Sequence, residues 1–600
     1  MDQREWKIQA GAYGDMDKFF AFGSGPRLCM GKYIGVTMIK SAVANILFNF
    51  HVELVKGHHV YSNSSLILNM KNVVGAIART RNLKLARLDN FEPQPTCARD
   101  FMKGLSRPKA IDLHVNQHHG RTKVVTYWPI LGVLPCLAQN AHRMHDYCVD
   151  ISNTHGLTKV LKGPFLEILY TCDPRNFEYI TKTNFPNYPK GEEYNKAFEM
   201  LGDGLFNSDF DLWHGQRKLA GKAFASNNFS RMVSNLSKKV VEDELVPLLV
   251  KLIENSSTVD LEETFMNYTF DVAFFSIFGR NPKCLSKQSP ENKFAKAMDD
   301  ALEAIFFRHV APPMWWRLCG RLKIGVEKKH HNAWETIDQS MAHYIALKKE
   351  ELLQGAGQER SDILSTYIYL QNEKQEFTSG GDKFLRDSAL TLLFAARDTT
   401  GASLSWFFYS VLSNPAVESK ILDELKKVKK CNSENDITAK KPWIFNSEDV
   451  KGLVYLHAAC CETLRLYPGL PLNRKEALHE DVLPDGTMVR PKMMIIMSPF
   501  AMARMKSLWG NDCMKFKPER WITEDGQLSN EPMDKFHTFG AGPRICIGKD
   551  FALTLLKSAA ASLLFNFKFE LVKGHKVYPK PSLVLQMKNG LLVQVKRRVF

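Results

Sequence analysis

The sequence predicts a mainly α fold, and three stretches carry that reading. Between Val240 and Glu350 apolar residues recur at helical spacing and glycine is sparse. Asp387 to Leu412 reads as one long, largely apolar helix. Near the C-terminus a tight turn, Phe539 to Gly548, runs straight into another apolar helical stretch. At 600 residues the chain exceeds an ordinary single domain, yet large one-core enzymes reach this size.

Composition narrows the function. The formal net charge is +16, but no nucleic-acid module and no long arginine tract is recognisable, so nucleic acid is set aside as a partner. A basic docking face for an acidic redox partner, or an anionic membrane surface, suits the charge equally. The 12 cysteines are scattered without a CxxC pair, which points to reduced thiols and not to a disulfide scaffold. No run of about 18 apolar residues is uninterrupted, so no transmembrane helix is expected. The first residues also lack a secretory-signal pattern.

The chain contains one repeat. Met16 to Asn72 aligns without a gap to Met533 to Asn589 at a constant offset of 517 (546 − 29), with roughly three in five positions identical. The copy includes Phe22, Gly25, Arg27, Cys29 and Gly31. We therefore expect residues 1–80 to be an orphan duplicate of the C-terminal segment, without a catalytic role. Residues 81–125, interrupted by Pro93, Pro95 and Pro108, read as a linker. His114, His118 and His119 have no Cys or carboxylate at ligand spacing and are read as solvated. The basic run from Arg317 to His331 is read as solvated surface. Residues 126–600 form the main domain.

Taken in order, that domain opens at Tyr127-Trp128-Pro129-Ile130-Leu131-Gly132. Trp213 and Arg217 stand four apart, on one helix face. The long helix carries Ala395-Ala396-Arg397-Asp398-Thr399-Thr400, whose hydroxyls compete with the backbone ladder and are expected to open or bend it. An acid beside an alcohol in apolar surroundings is a good proton relay. Glu462 and Arg465 stand one turn apart, with Pro468 ending the helix, and Phe516 to Trp521 supplies Arg520. In the final turn, Gly542 and Gly548 are expected to take backbone angles a side chain resists, and Pro543 stiffens the loop. Backbone N–H groups freed there can point at the Cys546 sulfur, and Arg544 offers a fork suited to a carboxylate.

Phe-x-x-Gly-x-Arg-x-Cys-x-Gly, from Phe539 to Gly548, resembles the haem-binding loop of the cytochrome P450 family. Trp213/Arg217, Asp398/Thr399, Glu462/Arg465/Arg520 and Cys546 occur in that family's order. The opening Trp-Pro-x-Leu-Gly is similar to plant long-chain fatty-acid and alkane hydroxylases within it. Each motif has an ordinary alternative: a buried structural cysteine, a surface arginine over a core tryptophan, a core helix with an internal Asp–Thr bond. Their joint occurrence is far more specific.

The resemblance implies a mainly α fold with small β-sheets, the cytochrome P450 fold, holding haem b (iron protoporphyrin IX) with Cys546 as the iron's thiolate. It implies Asp398 and Thr399 as the catalytic pair, with Ala396 where glycine is usual, tightening the cleft. Trp213, Arg217, Arg544 and Arg474 would meet the haem propionates, with Phe539, Gly542 and Gly548 shaping the loop. Glu462, Arg465 and Arg520 would form a structural clamp, and Phe394, Leu470 and Leu472 a substrate pocket. The implied reaction is O2-dependent hydroxylation of a long-chain aliphatic substrate, an alkane or fatty acid. Electrons would come from NADPH-cytochrome P450 reductase, at the cytosolic face of the endoplasmic reticulum membrane. A same-fold hydroperoxide isomerase or dehydratase stays open, though such enzymes generally lack the Asp–Thr pair. A non-catalytic haem-binding fusion product is the other alternative.

Overall fold

The computed structural model describes residues 124–599, apart from 129, 165, 256, 286–291, 356–361, 375–380, 433–441 and 530–533. It also describes four short strands between residues 50 and 80. Cys29, His114, His118, His119 and most of the expected linker lie outside the described residues. The chain divides into two units, Met1–His114 and Val115–Phe600.

In the first unit Phe50–Leu54 pairs antiparallel with Ala76–Thr80, and Ser62–Asn63 with Asn69–Met70. Phe50 faces Thr80. In the second unit Phe567 faces Arg597, which is the same register displaced by the repeat offset of 517 (567 − 50, 597 − 80).

The second unit is mainly helical. Its elements that matter here are β1 (Thr158–Gly163), β2 (Leu166–Thr171), α1 (Phe210–Phe224), β3 (Thr258–Asp260), α2 (Leu261–Phe278), α3 (Asn292–Val310), α4 (Gly325–Leu353), α5 (Gly381–Leu412), α6 (Val454–Leu466), β4 (Asn473–Glu476), β5 (Met494–Met497), α7 (Lys549–Asn566), β6 (Phe567–Leu571) and β7 (Leu592–Arg597). One sheet runs β1-β2-β5-β4, with β2 and β5 parallel and the outer pairs antiparallel. Its central strands, Leu-Glu-Ile-Leu-Tyr-Thr and Met-Ile-Ile-Met, are apolar enough to be covered on both faces. A second sheet runs β6-β7-β3, all antiparallel.

Asp260 starts α2: its carboxylate accepts from Glu262 N at 2.9 Å, and Gly279 at φ +72° ends the helix. The α2 helix is buried along most of its length and packs beside α5. With 32 residues, α5 is ~48 Å long at 1.5 Å per residue.

Two expectations change here. The polar stretch of α5 does not open the helix, which runs unbroken from Gly381 to Leu412. Thr399 Oγ1 donates back to Ala395 O at 2.7 Å and Ser403 Oγ to Thr399 O at 2.6 Å, so the hydroxyls add to the ladder instead of replacing it. Nor is Arg317 to His331 wholly solvated: Glu327 and His330 are buried, because Arg308 of α3 forks onto Glu327 at 2.9 and 2.7 Å.

Candidate active site

The turn before α7 is built by two glycines, though not the expected pair. Gly540 (φ +74°) and Gly542 (φ +64°) take left-handed angles. A Cβ on Gly542 would lie 2.0 Å from the Thr181 carbonyl oxygen, so that position admits no side chain. Gly548 instead has φ −92°, which any residue adopts, because it already stands at the start of α7. Cys546 N donates to Phe539 O at 2.8 Å and closes the turn.

Cys546 lines a cavity of about 300 Å³. It is exposed, unlike the other described cysteines, because it opens into that cavity, while the surrounding protein still desolvates it. Burial pushes its thiol up, and a hydrogen bond from the Gly548 backbone and the Arg217 charge pull it back toward thiolate.

From α1, Trp213 and Arg217 both line the cavity, and Arg217 Nη2 donates to Ile545 O at 2.7 Å. From α5 come Phe394, Ala395, Thr399, Thr400 and Ser403. Asp398 is not among the lining residues. One residue along a helix turns a side chain by about 100°, and Asp398 points into a buried ion cluster instead. Arg397 Nη1 donates to it at 3.1 Å and to Asp299 at 2.7 Å, and Asp398 Oδ2 is left without a partner. Burial raises its carboxyl to about 7, against the pull of Arg397. Ala396 packs against the core and is likewise absent from the lining, so its methyl does not tighten the cavity.

Strand alternation corrects two more positions. Asn473 and Lys475 of β4 line the cavity, which leaves Arg474 on the other strand face. Leu470 lines the cavity as expected, but Leu472 packs into the core around the first sheet. Phe539 lines the cavity together with His537, whose ring stacks on Phe177 at 4.1 Å.

Arg544 is committed to a protein carboxylate. Its Nη2 donates to Asp209 Oδ1 at 2.6 Å and to Ser208 O at 2.8 Å, and its Cζ lies 4.6 Å from the centre of the Trp213 ring. Lys190 and Lys475, both buried, also line the cavity. Burial, reinforced by Arg544, lowers Lys190 to about 7 and Lys475 well below its usual value. Sequence reasoning missed both lysines and Asp209, since no local pattern marks them.

Glu462, Arg465 and Arg520 come together in one buried ion cluster. Arg465 holds Glu462 through Nε (2.8 Å) and Nη2 (2.9 Å), and Arg520 Nε reaches Glu462 at 3.1 Å. Trp521 Nε1 (3.0 Å) and Lys517 N (3.0 Å) complete the shell.

These residues fit haem b. One thiol opens into an otherwise largely apolar cavity. Four basic side chains, Arg217, Arg544, Lys190 and Lys475, line its wall, with burial holding the two lysines toward their neutral forms. Arg544 Nε and Lys475 Nζ are buried without hydrogen-bond partners, and the two carboxylates of haem b would satisfy such donors and draw the lysines back to their charged forms.

The sequence profile described as "Cytochrome P450" matches residues 5–73 and 123–595. Noroxomaritidine synthase from Narcissus aff. pseudonarcissus MK-2014 is 40% identical over 478 residues, 78% of this chain and 91% of the relative. Cytochrome P450 86B1 from Arabidopsis thaliana is 39% identical, over 78% of this chain and 85% of its own. Alkane hydroxylase MAH1 from Arabidopsis thaliana is 36% identical, over 79% of this chain and 94% of its own. Likeness of that extent agrees with the cavity and its thiol: the chain belongs to the cytochrome P450 family and is a monooxygenase that carries haem b.

Proposed function

We propose that this monooxygenase hydroxylates long alkyl chains, alkanes or fatty acids, with O2 and with electrons from NADPH-cytochrome P450 reductase. The apolar wall of the cavity carries the reading: Phe198, Leu302, Ile305, Phe394, Leu470 and Val584 offer an alkyl chain contact without asking it for hydrogen bonds. The similarity to an alkane hydroxylase supports it.

When bound, haem b supplies the reductive activation of dioxygen. Cys546 would hold the haem iron through its thiolate, whose charge the Gly548 backbone and Arg217 temper. Trp213, Arg217, Arg544, Lys190 and Lys475 would meet the two carboxylates. Thr399 lines the cavity and its hydroxyl, which rests on Ala395 O at 2.7 Å, would pass a proton there, with Asp398, raised by burial to about 7, as the reserve one residue behind it.

The helix Pro313–Leu322 supports attachment to the cytosolic face of the endoplasmic reticulum membrane. Met314 (80% exposed), Trp315, Leu318 and Leu322 are bare on its surface, beside Arg317, Arg321 and Lys323. No helix among the described residues is long and apolar enough to cross a membrane. Residues 1–80 are a duplicate without a part in the haem site, a reading supported by the shared strand register.

The deciding experiment reconstitutes the protein with NADPH, reductase and a panel of alkanes and fatty acids of graded length. Hydroxylated products on terminal or mid-chain carbons are expected. A noroxomaritidine synthase is more similar to this chain, at 40% identity, than the alkane hydroxylase, at 36%. A haem-loaded protein that oxidises no aliphatic member of the panel would therefore overturn the substrate reading.

A further inference from the structure

Asp209 stands where a helix would use it as a cap, and it does not cap. It precedes α1 with extended backbone (φ −127°), yet its carboxylate makes no bond to that helix's own N–H groups. The next residue, Phe210, has φ +52°, an angle a bulky side chain rarely takes. The carboxylate turns instead to two other segments. It accepts from Lys190 N (3.0 and 3.1 Å) and Gly191 N (3.2 Å), and from Arg544 Nη2 at 2.6 Å.

Those partners belong to the cofactor wall. Lys190 lines the cavity, and Arg544 both lines it and precedes Cys546 by two residues. Among the described residues, Asp209 is the acid whose charge acts on Lys190, Lys475 and Arg544 alike. Its side chain is only 9% exposed, so water screens its charge weakly. The helix it precedes carries Trp213 and Arg217, four residues apart and so on one face.

We propose that Asp209 is a positioning residue for the haem: its carboxylate ties the Lys190–Gly191 segment to Arg544, and so fixes both the cations that take the cofactor's carboxylates and the loop that presents Cys546. This rests on the haem b assignment. Asp209 touches neither the iron nor the substrate. Its contribution is to hold Arg544 in one orientation and to offset part of the positive charge around it.

Asp209→Asn keeps the shape and removes the charge. In the holoprotein we expect haem transfer to apomyoglobin to quicken about tenfold or more. The ferric/ferrous midpoint should move to more positive values, because a buried anion that favours the ferric state is gone. Arg544→Gln should do the first equally, and the double variant should lose haem no faster than the worse single one, since both break one link. Haem retention and midpoint equal to wild type in Asp209→Asn would overturn the proposal, as would additive losses in the double variant. A lower melting temperature with both readouts unchanged would make Asp209 a fold residue only and overturn it too. If Asp209→Asn yields no folded holoprotein, Arg544→Lys decides: it keeps the charge but cannot reach both Asp209 and the Ser208 carbonyl, and wild-type haem retention there would sink the idea. Failure of the haem assignment itself would show separately, as a wild type without a thiolate-type carbon-monoxide band.

Discussion

Arg465 grips Glu462 with two arms of its guanidinium, and three more donors, from Arg520, Trp521 and the Lys517 backbone, close around the same carboxylate. Glu462 is fully buried, and every donor it satisfies would be orphaned by its loss. Glu462→Gln should therefore cost about 3–5 kcal/mol of stability. Urea denaturation of the holoprotein measures it, and a loss under 1 kcal/mol would mean that the shell is not shared as drawn.

Thr399 faces the cavity and its neighbour Asp398 does not, so the two should fail differently. Thr399→Val removes the lining hydroxyl while leaving the helix intact, since that hydroxyl only back-bonds to Ala395. We expect product per NADPH to fall about tenfold or more, with NADPH oxidation continuing and hydrogen peroxide rising. Stoichiometry of NADPH, peroxide and product is the check, and unchanged coupling would remove Thr399 from proton handling.

Asp398 carries a pH signature. Its folded value, about 7, lies above the usual 3.8, so its contribution to stability is present below about pH 4 and is lost as pH rises through 7. Relative to wild type, Asp398→Asn should gain stability across that window, up to about 4 kcal/mol at pH 8 if each unit is worth 1.36 kcal/mol. Paired melts at several pH values test this. A difference that stays flat between pH 4 and 8 would show that Asp398 is already ionised in the fold.

Gly542 and Gly548 should separate sharply. Gly542→Ala forces a Cβ to within 2.0 Å of Thr181 O at φ +64°, whereas Gly548→Ala meets nothing nearer than 3.9 Å at φ −92°. The first should lose at least about 1–3 kcal/mol and most of its haem. The second should keep its fold and retain haem. Soret absorbance per protein, read beside a thermal melt, distinguishes them.

The duplicated cysteine offers a further contrast. In carbon-monoxide difference spectra of the reduced protein, Cys546→Ala should lose the red-shifted thiolate band and Cys29→Ala should keep it. Loss of the band in both would bring the first unit into the haem site.

What the sequence made legible was chemistry held in short, ordered stretches. Cys546 and the Gly548 N–H lie two residues apart, and Glu462 and Arg465 one helical turn, so local spacing fixes the geometry of each pair. Arg474, Leu472, Lys190 and Asp209 obey distant partners instead. Which face β4 turns to the cavity depends on its pairing with β5, about twenty residues later, and Asp209 answers to Arg544 across more than 300 positions. Asp398 was recognised by type, but its direction depended on Arg397 beside it and on Asp299, which lies about a hundred residues earlier and outside any motif.

The alternation along β4 makes the length of the preceding loop a choice of cation. Lys475 faces the cavity only because Asn473 pairs with Met497 and Arg474 with Ile496. One residue added or removed after Leu470, with β5 still locked to β2, would slide that pairing by a single step and turn every side chain over. Arg474 would then enter the cavity and Lys475 leave it, exchanging ammonium for guanidinium without altering either codon. Relatives that differ in loop length here should be aligned by strand face before their residues are compared.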